Sequence, residues 1–100
     1  MNFHTLVLDQ LKDLGEVEDR PLLGGWGLFL EGSMFGILQG DRLYLLAADP
    51  QLRFEYQRAG SMPFQASGPH REYYRVPASV LENRATLLKW ASRSLQRNGL

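Results

Sequence analysis

The stretch that decides the fold runs from Gly24 to Leu45, "GGWGLFLEGSMFGILQGDRLYL". Short apolar runs within it and at its borders are separated by Glu-Gly-Ser and Gly-Asp, which are turn signals between antiparallel strands. We therefore predict three strands, over residues 22–30, 33–39 and 42–47, joined by tight hairpins.

The glycines at its start raise the question of a phosphate-binding loop. Such a loop leads into a helix N-terminus, whose free N–H groups meet the anion. Here the residues after Gly27 are an apolar run and a hairpin turn, and the spacing is not G-x-G-x-x-G. Glycine inside a strand indicates a bend or the close approach of another backbone. We expect Gly24 and Gly25 to let the first strand coil sharply and Gly27 to leave space beside Trp26.

Three helices are predicted around these strands. Residues 3–14 carry apolar side chains at helical spacing and Gly15 ends the run. Residues 49–60 open with an Asp-Pro pair typical of a helix start and close with glycine. The last helix is predicted to begin at an S-x-x-E capping box formed by Ser79 and Glu82.

Two further strands are predicted over residues 62–67 and 71–77, with a turn near Gly68 and Pro69. The predicted order is α-β-β-β-α-β-β-α. Helices of these lengths can cover one face of a five-stranded antiparallel sheet, so we predict an α+β, two-layer sandwich. One hundred residues make one domain of ordinary size, spanning 1–100.

Composition excludes several classes of function. Apolar residues make up 44% and charged residues 22%, which favours a soluble globular core over disorder. The absence of cysteine excludes disulfides, thiolate metal sites and thiol nucleophiles, and is compatible with the cytoplasm, our predicted location. No apolar run approaches the roughly 20 residues of a membrane span. The N-terminus lacks the features of a signal peptide.

Formal net charge is zero but is unevenly distributed along the chain. Residues 1–50 hold three basic and eight acidic side chains, whereas residues 51–100 hold eight basic and three acidic ones. Such an asymmetry is typical of a basic binding face, or of oppositely charged patches that meet between subunits.

No pattern of catalytic or metal-binding residues stands out. His4 and His70 have no carboxylate or second histidine three or four positions away with which to share a metal. The serines lie outside any G-x-S-x-G elbow. We expect no enzyme activity, no metal and no cofactor. A small enzyme is the remote alternative, and it would require polar groups that converge in a pocket.

Basic residues in the last third of the chain form the first candidate surface. Lys89, Arg93 and Arg97 recur at i, i+4 and i+8, so they share one helix face, while Arg71 and Arg75 alternate along the preceding strand. Together they could neutralise several phosphates, and a nucleic-acid-binding module is therefore an alternative function. Such a stripe is also what the solvent face of any amphipathic helix presents.

Aromatic residues form the second candidate surface. Tyr73 and Tyr74 are adjacent on a predicted strand, so one of them must point away from the helices. An aromatic side chain on a sheet face without helical cover would be an anchor for a partner, whereas the alternative is a half-polar face with no such role. The combined candidate partner-binding residues are Trp26, Tyr73, Arg71, Arg75, Lys89, Arg93 and Arg97.

The same stretch resembles the signature of the TfoX/Sxy N-terminal domain family, and later elements follow in order over about residues 5–97. That signature combines an arginine, a Gly-Gly-x-Gly run with a hydrophobic-aromatic pair, a Met-Phe-Gly and a Leu-Tyr-Leu strand. The matching residues are Arg20, Gly24, Gly25, Gly27, Leu28, Phe29, Met34, Phe35, Gly36, Leu43, Tyr44 and Leu45. Downstream they are Phe54, Met62–Phe64, Tyr73, Tyr74, Pro77, Trp90 and Ala91.

The resemblance implies a secretion-chaperone-like fold and a non-enzymatic regulatory domain in bacteria. Full-length members of this family are coactivators of natural-competence genes that work with the cyclic-AMP receptor protein. The implied partner is thus a transcription regulator or RNA polymerase, and a homodimer is a further expectation. Competence regulators usually carry a second, helical domain, and because the sequence ends at Leu100 we expect a stand-alone N-terminal domain.

Overall fold

The computed structural model describes residues 2–22 and 24–95. Five strands form one antiparallel sheet in the order β1-β2-β3-β4-β5, so the predicted α+β class with a five-stranded antiparallel sheet is confirmed. The elements are α1 Phe3–Leu11 with a following 3₁₀ turn Lys12–Leu14, β1 Val17–Leu22, β2 Gly25–Leu30, β3 Ser33–Gln39, β4 Arg42–Leu46, α2 Pro50–Arg58, β5 Tyr73–Arg75, α3 Ala78–Leu81 and α4 Arg84–Leu95.

The first strand was not predicted, and it corrects the element order. Strand β1 has the sequence Val-Glu-Asp-Arg-Pro-Leu and pairs with β2 along its whole length. It lies at the edge of the sheet, where charged side chains and proline are tolerated because one side of the strand has no ladder to complete. The described order begins α-β-β-β-β-α, with four strands before α2 rather than three.

The strand predicted over 62–67 is reduced to a single bridge, between Pro63 and Tyr74. The Phe64 N–H donates to the Tyr73 carbonyl at 2.7 Å, and the Arg75 N–H donates to the Met62 carbonyl at 3.0 Å. Pro63 has no N–H to offer to a ladder, which limits this pairing. The segment nevertheless covers the outer edge of β5.

Gly24 lies in a hairpin turn, and Gly25 lies where two strands pack closely together. Leu22 pairs with Gly25 across the hairpin, and Gly24 lies in the turn with φ +81°. A Cβ on Gly25 would lie 2.2 Å from the Leu38 carbonyl oxygen. The residues after this turn form β2 and not a helix, which agrees with the prediction that these glycines do not form a phosphate-binding loop.

One expectation about these glycines was wrong. The strand predicted over 22–30 does not coil through Gly24, because the chain reverses direction there between β1 and β2. At Gly27, a Cβ would stand 3.0 Å from the Phe29 ring, so this glycine leaves space for that ring.

The main core lies between the sheet and the three longer helices. Helix α1 packs on α4 and contacts β1 and β2 through His4, α4 packs on β3 and β4, and α2 packs on β5. Tyr56 of α2 is fully buried at the centre of the α2 contact, stacked on Tyr74 with ring centroids 5.6 Å apart and edge-on to Trp90 at 4.7 Å. A smaller apolar cluster occupies the opposite face of the sheet, formed by Ile37, Tyr44, Leu46 and Tyr73 with Phe64 packed against it.

The last helix begins later than predicted. The Asn83 side chain accepts a hydrogen bond from the Thr86 N–H at 3.0 Å, and the Asn83 carbonyl accepts from the Leu87 N–H at 2.9 Å. Ser79 lies within the short helix α3, whose N-cap is Pro77 and has no side-chain capping bond. The predicted capping box of Ser79 and Glu82 is therefore wrong. The second helix starts as predicted, with the Asp49 side chain accepting from the Gln51 N–H at 2.8 Å.

Among the described residues, no helix has the length and apolar character needed to cross a bilayer.

Candidate interaction surfaces

Tyr73 and Tyr74 face opposite sides of the sheet, as their adjacency requires. Tyr74 lies in the main core and Tyr73 in the smaller cluster on the other face. However, Tyr73 is only 5% exposed, because the segment over 62–72 places Phe64 and His70 against this part of the sheet. Its hydroxyl donates to the Met34 carbonyl at 3.3 Å. The expectation that Tyr73 is an exposed anchor was wrong, since a loop supplies the cover that the helices do not.

Trp26 is 38% exposed at the other end of the sheet. Its ring lies edge-on to His4, 5.0 Å between centroids, beside a hollow of about 280 Å³ formed by the start of α1 and two hairpin turns. His4 Nε2 contacts the Asp19 carboxylate at 2.5 Å. Sequence reasoning missed this pair, because Asp19 lies 15 residues away on the unpredicted strand β1.

The His4 and Asp19 pair has the geometry of a base with its orienting carboxylate, but a nucleophile is needed to complete a catalytic arrangement. The described residues that line the hollow include no serine, threonine or tyrosine: they are Asn2, Phe3, His4, Gly24, Gly25, Trp26, Leu38 and Gly40. We interpret the pair as a link that holds α1 against the edge strand. In the described part of the chain, no group of three acidic or histidine side chains is placed to hold a metal.

The basic stripe on α4 is not a row of three free cations. Arg93 forms an ion pair with Glu55 of α2 at 2.7 Å, which neutralises it. Lys89 is exposed and has no ion pair within residues 2–22 and 24–95. Arg97 lies outside the described residues. The surface that sequence reasoning placed on this helix is therefore brought together only in part.

Arg71 and Arg75, also predicted as candidates, are both exposed at the β5 end of the sheet. The Arg71 guanidinium donates to the Gly68 carbonyl at 3.0 Å and lines a cleft of about 410 Å³. Arg53 of α2, which the sequence analysis did not single out, also lines the cleft. The full lining is Arg53, Pro63, Ala66, Arg71, Glu72 and Tyr74.

Arg53 is held in place by three acceptors. Its Nη1 donates to the carbonyls of Ala47 at 3.1 Å and Ala48 at 2.7 Å, and to the Glu72 carboxylate at 3.1 Å. These contacts join the start of α2 to the end of β4 and to the residue before β5. The sequence offered no signal for this role, because the acceptors are two backbone carbonyls and a distant side chain.

The uneven charge along the sequence becomes an uneven charge across the molecule. Because the strands lie in sequence order, acidic residues around β1 lie at one end of the sheet and the arginines around β5 at the other, while α4 with its basic residues packs over β3 and β4. At the β1 end, Glu16, Glu18 and Glu31 border a hollow of about 420 Å³. The β5 end carries Arg53 and Arg71 in the cleft and the exposed Arg75 beside it.

Two large apolar side chains are prominent on the surface. Phe54 on the outer side of α2 is 57% exposed, with the Arg58 guanidinium 5.9 Å from its ring centroid, and Met62 is 70% exposed. Met62 flanks the basic end, since its carbonyl accepts from the Arg75 N–H. Phe54 lies on the side of α2 that faces away from the buried Leu52 and Tyr56. Phe54 was detectable in the sequence as the apolar residue two positions from each of the buried Leu52 and Tyr56.

The pKa of the Tyr56 hydroxyl departs clearly from its ordinary value. Burial raises the pKa of its hydroxyl far above 10.0, while the nearby Arg93 charge lowers it and the Glu55 charge raises it. The hydroxyl is buried and has no hydrogen-bond partner among the described residues. It is a neutral core group and is inaccessible to a substrate.

The chain was compared with known proteins. A comparison with curated proteins gave no match. The family model of the TfoX N-terminal domain matches residues 9–98, which is most of the 100 residues and includes all five strands and α2 to α4. The chain therefore belongs to the TfoX N-terminal domain family.

Proposed function

We propose that this chain is a non-catalytic regulatory module that acts by binding another protein. Family membership supports a role like that of the N-terminal domain of TfoX/Sxy competence coregulators. The proposed partner is a transcription regulator or a component of RNA polymerase in the bacterial cytoplasm.

The observation that carries the proposal is the exposure of Phe54 and Met62, each close to an arginine. The Arg58 guanidinium lies 5.9 Å from the Phe54 ring centroid, and the Met62 carbonyl accepts from the Arg75 N–H. Large apolar and aromatic side chains next to arginines are the chemistry of protein interfaces, where aromatic residues, methionine and arginine are enriched. The exposed apolar residues therefore favour a protein surface as the partner.

Nucleic-acid binding is the alternative, and the structure weakens its original basis. The ion pair between Arg93 and Glu55 removes the central cation from the stripe on α4. A binder of phosphates would show log affinity falling linearly with log salt concentration, with a slope that reports the number of phosphates contacted.

A pull-down from a nuclease-treated lysate of the source organism tests the proposal. The bait is the wild-type chain beside a Phe54→Gln, Met62→Gln variant, and Leu6→Gln is the matched control, because Leu6 is 42% exposed on α1. We expect the wild type and the control to enrich the same transcription protein and the double variant to lose it. If nothing is enriched after nuclease treatment, but untreated lysate yields nucleic acid, the protein-binding proposal fails and the alternative replaces it.

A further inference from the structure

Strand β1 leaves one edge of the sheet open. It pairs with β2 from Val17 to Leu22 in an unbroken register, and the described residues place no strand on its other side. At the opposite edge, by contrast, the segment over 62–64 bonds to β5. An open edge presents unpaired N–H and C=O groups, which are a template for pairing with another strand. The β1 edge is therefore where this sheet can be extended.

Pro21 shows which backbone groups of β1 face outward. Proline has no N–H to donate, and within a sheet it occupies edge-strand positions whose nitrogen is directed away from the ladder. Pro21 is aligned with Trp26, so its nitrogen points away from β2. Backbone direction alternates along an antiparallel strand, and Asp19 and Val17 therefore also direct their N–H and C=O groups outward.

The side chains of Glu18 and Arg20 share one face of the sheet. Arg20 is aligned with Gly27 and Gly27 with Ile37, so this is the face of the smaller apolar cluster. Within one chain, Arg20 Nη2 lies 3.7 Å from Glu18 Oε1, with the two side chains 55% and 62% exposed. An ion pair this long and this exposed contributes little to stability, so both charges are available to a partner.

We propose that the β1 edge binds the β1 edge of a second copy of this chain, antiparallel and centred on Asp19. In this register Glu18 of each copy lies directly opposite Arg20 of the other, at a position without backbone hydrogen bonds, where cross-strand side chains approach most closely. The two Asp19 residues exchange their N–H···O bonds. Each Val17 N–H donates to the Pro21 carbonyl of the other copy, so the missing N–H of proline does not prevent the pairing.

The order of the charges in β1 selects this register. With Val17 opposite Asp19, the two Glu18 side chains would face each other. With Asp19 opposite Pro21, the two Arg20 side chains would do so. Like charges directly opposite destabilise a sheet, whereas the register centred on Asp19 places opposite charges together. The edge is thus complementary to itself, as a two-fold dimer requires.

Charged residues and proline often protect an edge strand from pairing. In β1, however, a glutamate and an arginine on either side of a central residue attract a second copy. Pairing would join two five-stranded sheets and stop there, because the segment over 62–64 covers the far edge of each. The inference goes beyond the proposed function, since Met62 lies beside β5 at the other end of the sheet.

The central pair makes the association reversible. The two Asp19 carboxylates lie on the opposite face of the strand from Glu18 and Arg20, and each contacts His4 Nε2 of its own chain at 2.5 Å. As like charges on directly opposite residues they weaken the pairing. We therefore expect a dimer that dissociates on dilution.

Sedimentation equilibrium of the whole chain at physiological ionic strength tests the proposal. Glu18→Arg and Arg20→Glu should each weaken dimerisation at least about tenfold, because both cross-strand pairs of the dimer become repulsive. Mixing the two single variants should restore it to within about threefold of the wild type, since the mixed dimer again pairs opposite charges.

Charge exchange and matched controls separate the pairing from net charge. The exchange of Glu18→Arg with Arg20→Glu in one chain keeps the formal net charge at zero and should also restore dimerisation. Glu82→Arg and Arg42→Glu are the controls, because both positions are exposed and their changes in net charge match those of the single variants. Each control should stay within about twofold of the wild type.

Backbone hydrogen exchange locates the interface. The Asp19 and Val17 amides should exchange slowly in concentrated protein and rapidly after dilution, because only the second copy protects them. The Glu18 and Arg20 amides face β2 in both states, so their exchange should not depend on concentration.

Each contrary result overturns the proposal. A chain that stays monomeric up to about 1 mM would mean that the charges and proline of β1 only protect its edge. Equal weakening in Glu18→Arg and Glu82→Arg, or exchange of the Asp19 amide at one rate at all concentrations, would place the contact elsewhere. Loss in both single variants that neither mixing nor exchange restores would rule out the register centred on Asp19.

Discussion

Gly25 occupies a position where β2 approaches β3 too closely for any side chain. A Cβ there would lie 2.2 Å from the Leu38 carbonyl oxygen, and that oxygen belongs to the backbone of a central strand. We predict that Gly25→Ala lowers the free energy of unfolding by about 2 kcal/mol or more, because β3 must shift to admit the methyl group. Urea unfolding followed by circular dichroism measures this.

Gly40 provides the matched comparison for this substitution. It has φ +60° in the turn between β3 and β4, and a Cβ there would meet no atom within 4 Å. Because asparagine tolerates this backbone conformation, Gly40→Asn should change the free energy of unfolding by less than about 0.5 kcal/mol. A neutral Gly25→Ala variant would show that the contact with Leu38 is not as close as the structure places it.

Tyr56 has a buried hydroxyl that stabilises nothing around it. Since it has no partner among the described residues, Tyr56→Phe should leave the free energy of unfolding unchanged or raise it by about 1 kcal/mol. The ring itself contacts Tyr74 and Trp90, so Tyr56→Ala should cost about 3 kcal/mol or more. A clear loss of stability in Tyr56→Phe would mean that the hydroxyl has a partner.

The same hydroxyl predicts a dependence of stability on alkaline pH. Burial raises its pKa in the folded state above the unfolded value of 10.0, so the folded state keeps the proton that the unfolded state loses. Stability from this group is complete below pH 10 and decreases above it, by about 1.4 kcal/mol at pH 11. The wild type should therefore lose more stability than Tyr56→Phe between pH 9 and 11 in parallel urea titrations. Identical pH profiles would contradict a raised pKa.

At the scale of the element, α4 depends on a cap that differs from the one its sequence suggested. The Asn83 side chain satisfies the Thr86 N–H, so Asn83→Ala should cost about 1 kcal/mol. Ser79→Ala should cost less than about 0.5 kcal/mol, because Ser79 is exposed in α3 and makes no capping bond. Thermal unfolding of the two variants measures both losses of stability. A larger loss in Ser79→Ala than in Asn83→Ala would mean that Ser79 caps the helix after all.

The elements that the sequence predicted well are those whose patterns are local. The central hairpins over 25–46 and the start of α2 at Asp49 have turn and cap residues that act within a few positions. Strand β1 was not predicted because its charged residues and proline do not form a strand pattern. They are tolerated there because β1 lies at the edge of the sheet, a position that is known only once the sheet is assembled. Residues 62–67 have strand-like side chains, but Pro63 limits the ladder to one bridge.

The residues of the candidate surfaces also differ in how well a local sequence pattern predicts them. Arg71 and Arg75 were found from their alternation, and the structure places both at the basic end. Arg53 was missed because its position depends on two backbone carbonyls and on Glu72, 19 residues away. The adjacency of Tyr73 and Tyr74 correctly predicted that they face opposite sides of the sheet, but the burial of Tyr73 depends on a loop whose path the sequence pattern does not specify.

At the scale of the whole molecule, the separation of charge should control how copies of the chain interact. The molecule has a formal net charge of zero and a longest principal extent of 32 Å. Glu16, Glu18 and Glu31 lie at one end of its sheet and Arg71 and Arg75 at the other. The screening length is roughly 30 Å at 0.01 M salt and roughly 8 Å at 0.15 M. At low salt the opposite ends of neighbouring molecules therefore attract one another, and at physiological salt this attraction is largely screened.

We predict a negative osmotic second virial coefficient at 0.01 M salt near pH 7 that rises as salt is added, measured by static light scattering. The control is a charge exchange, Glu16→Arg with Arg71→Glu, in which both positions are exposed and the formal net charge stays at zero. Because the exchange reduces the separation of charge without changing its total, the coefficient should become less negative and less dependent on salt. Equal salt dependence in the two proteins would mean that charges other than Glu16 and Arg71 cause the attraction, and a coefficient that does not rise with salt in the wild type would mean that it comes from exposed apolar side chains such as Phe54 and Met62.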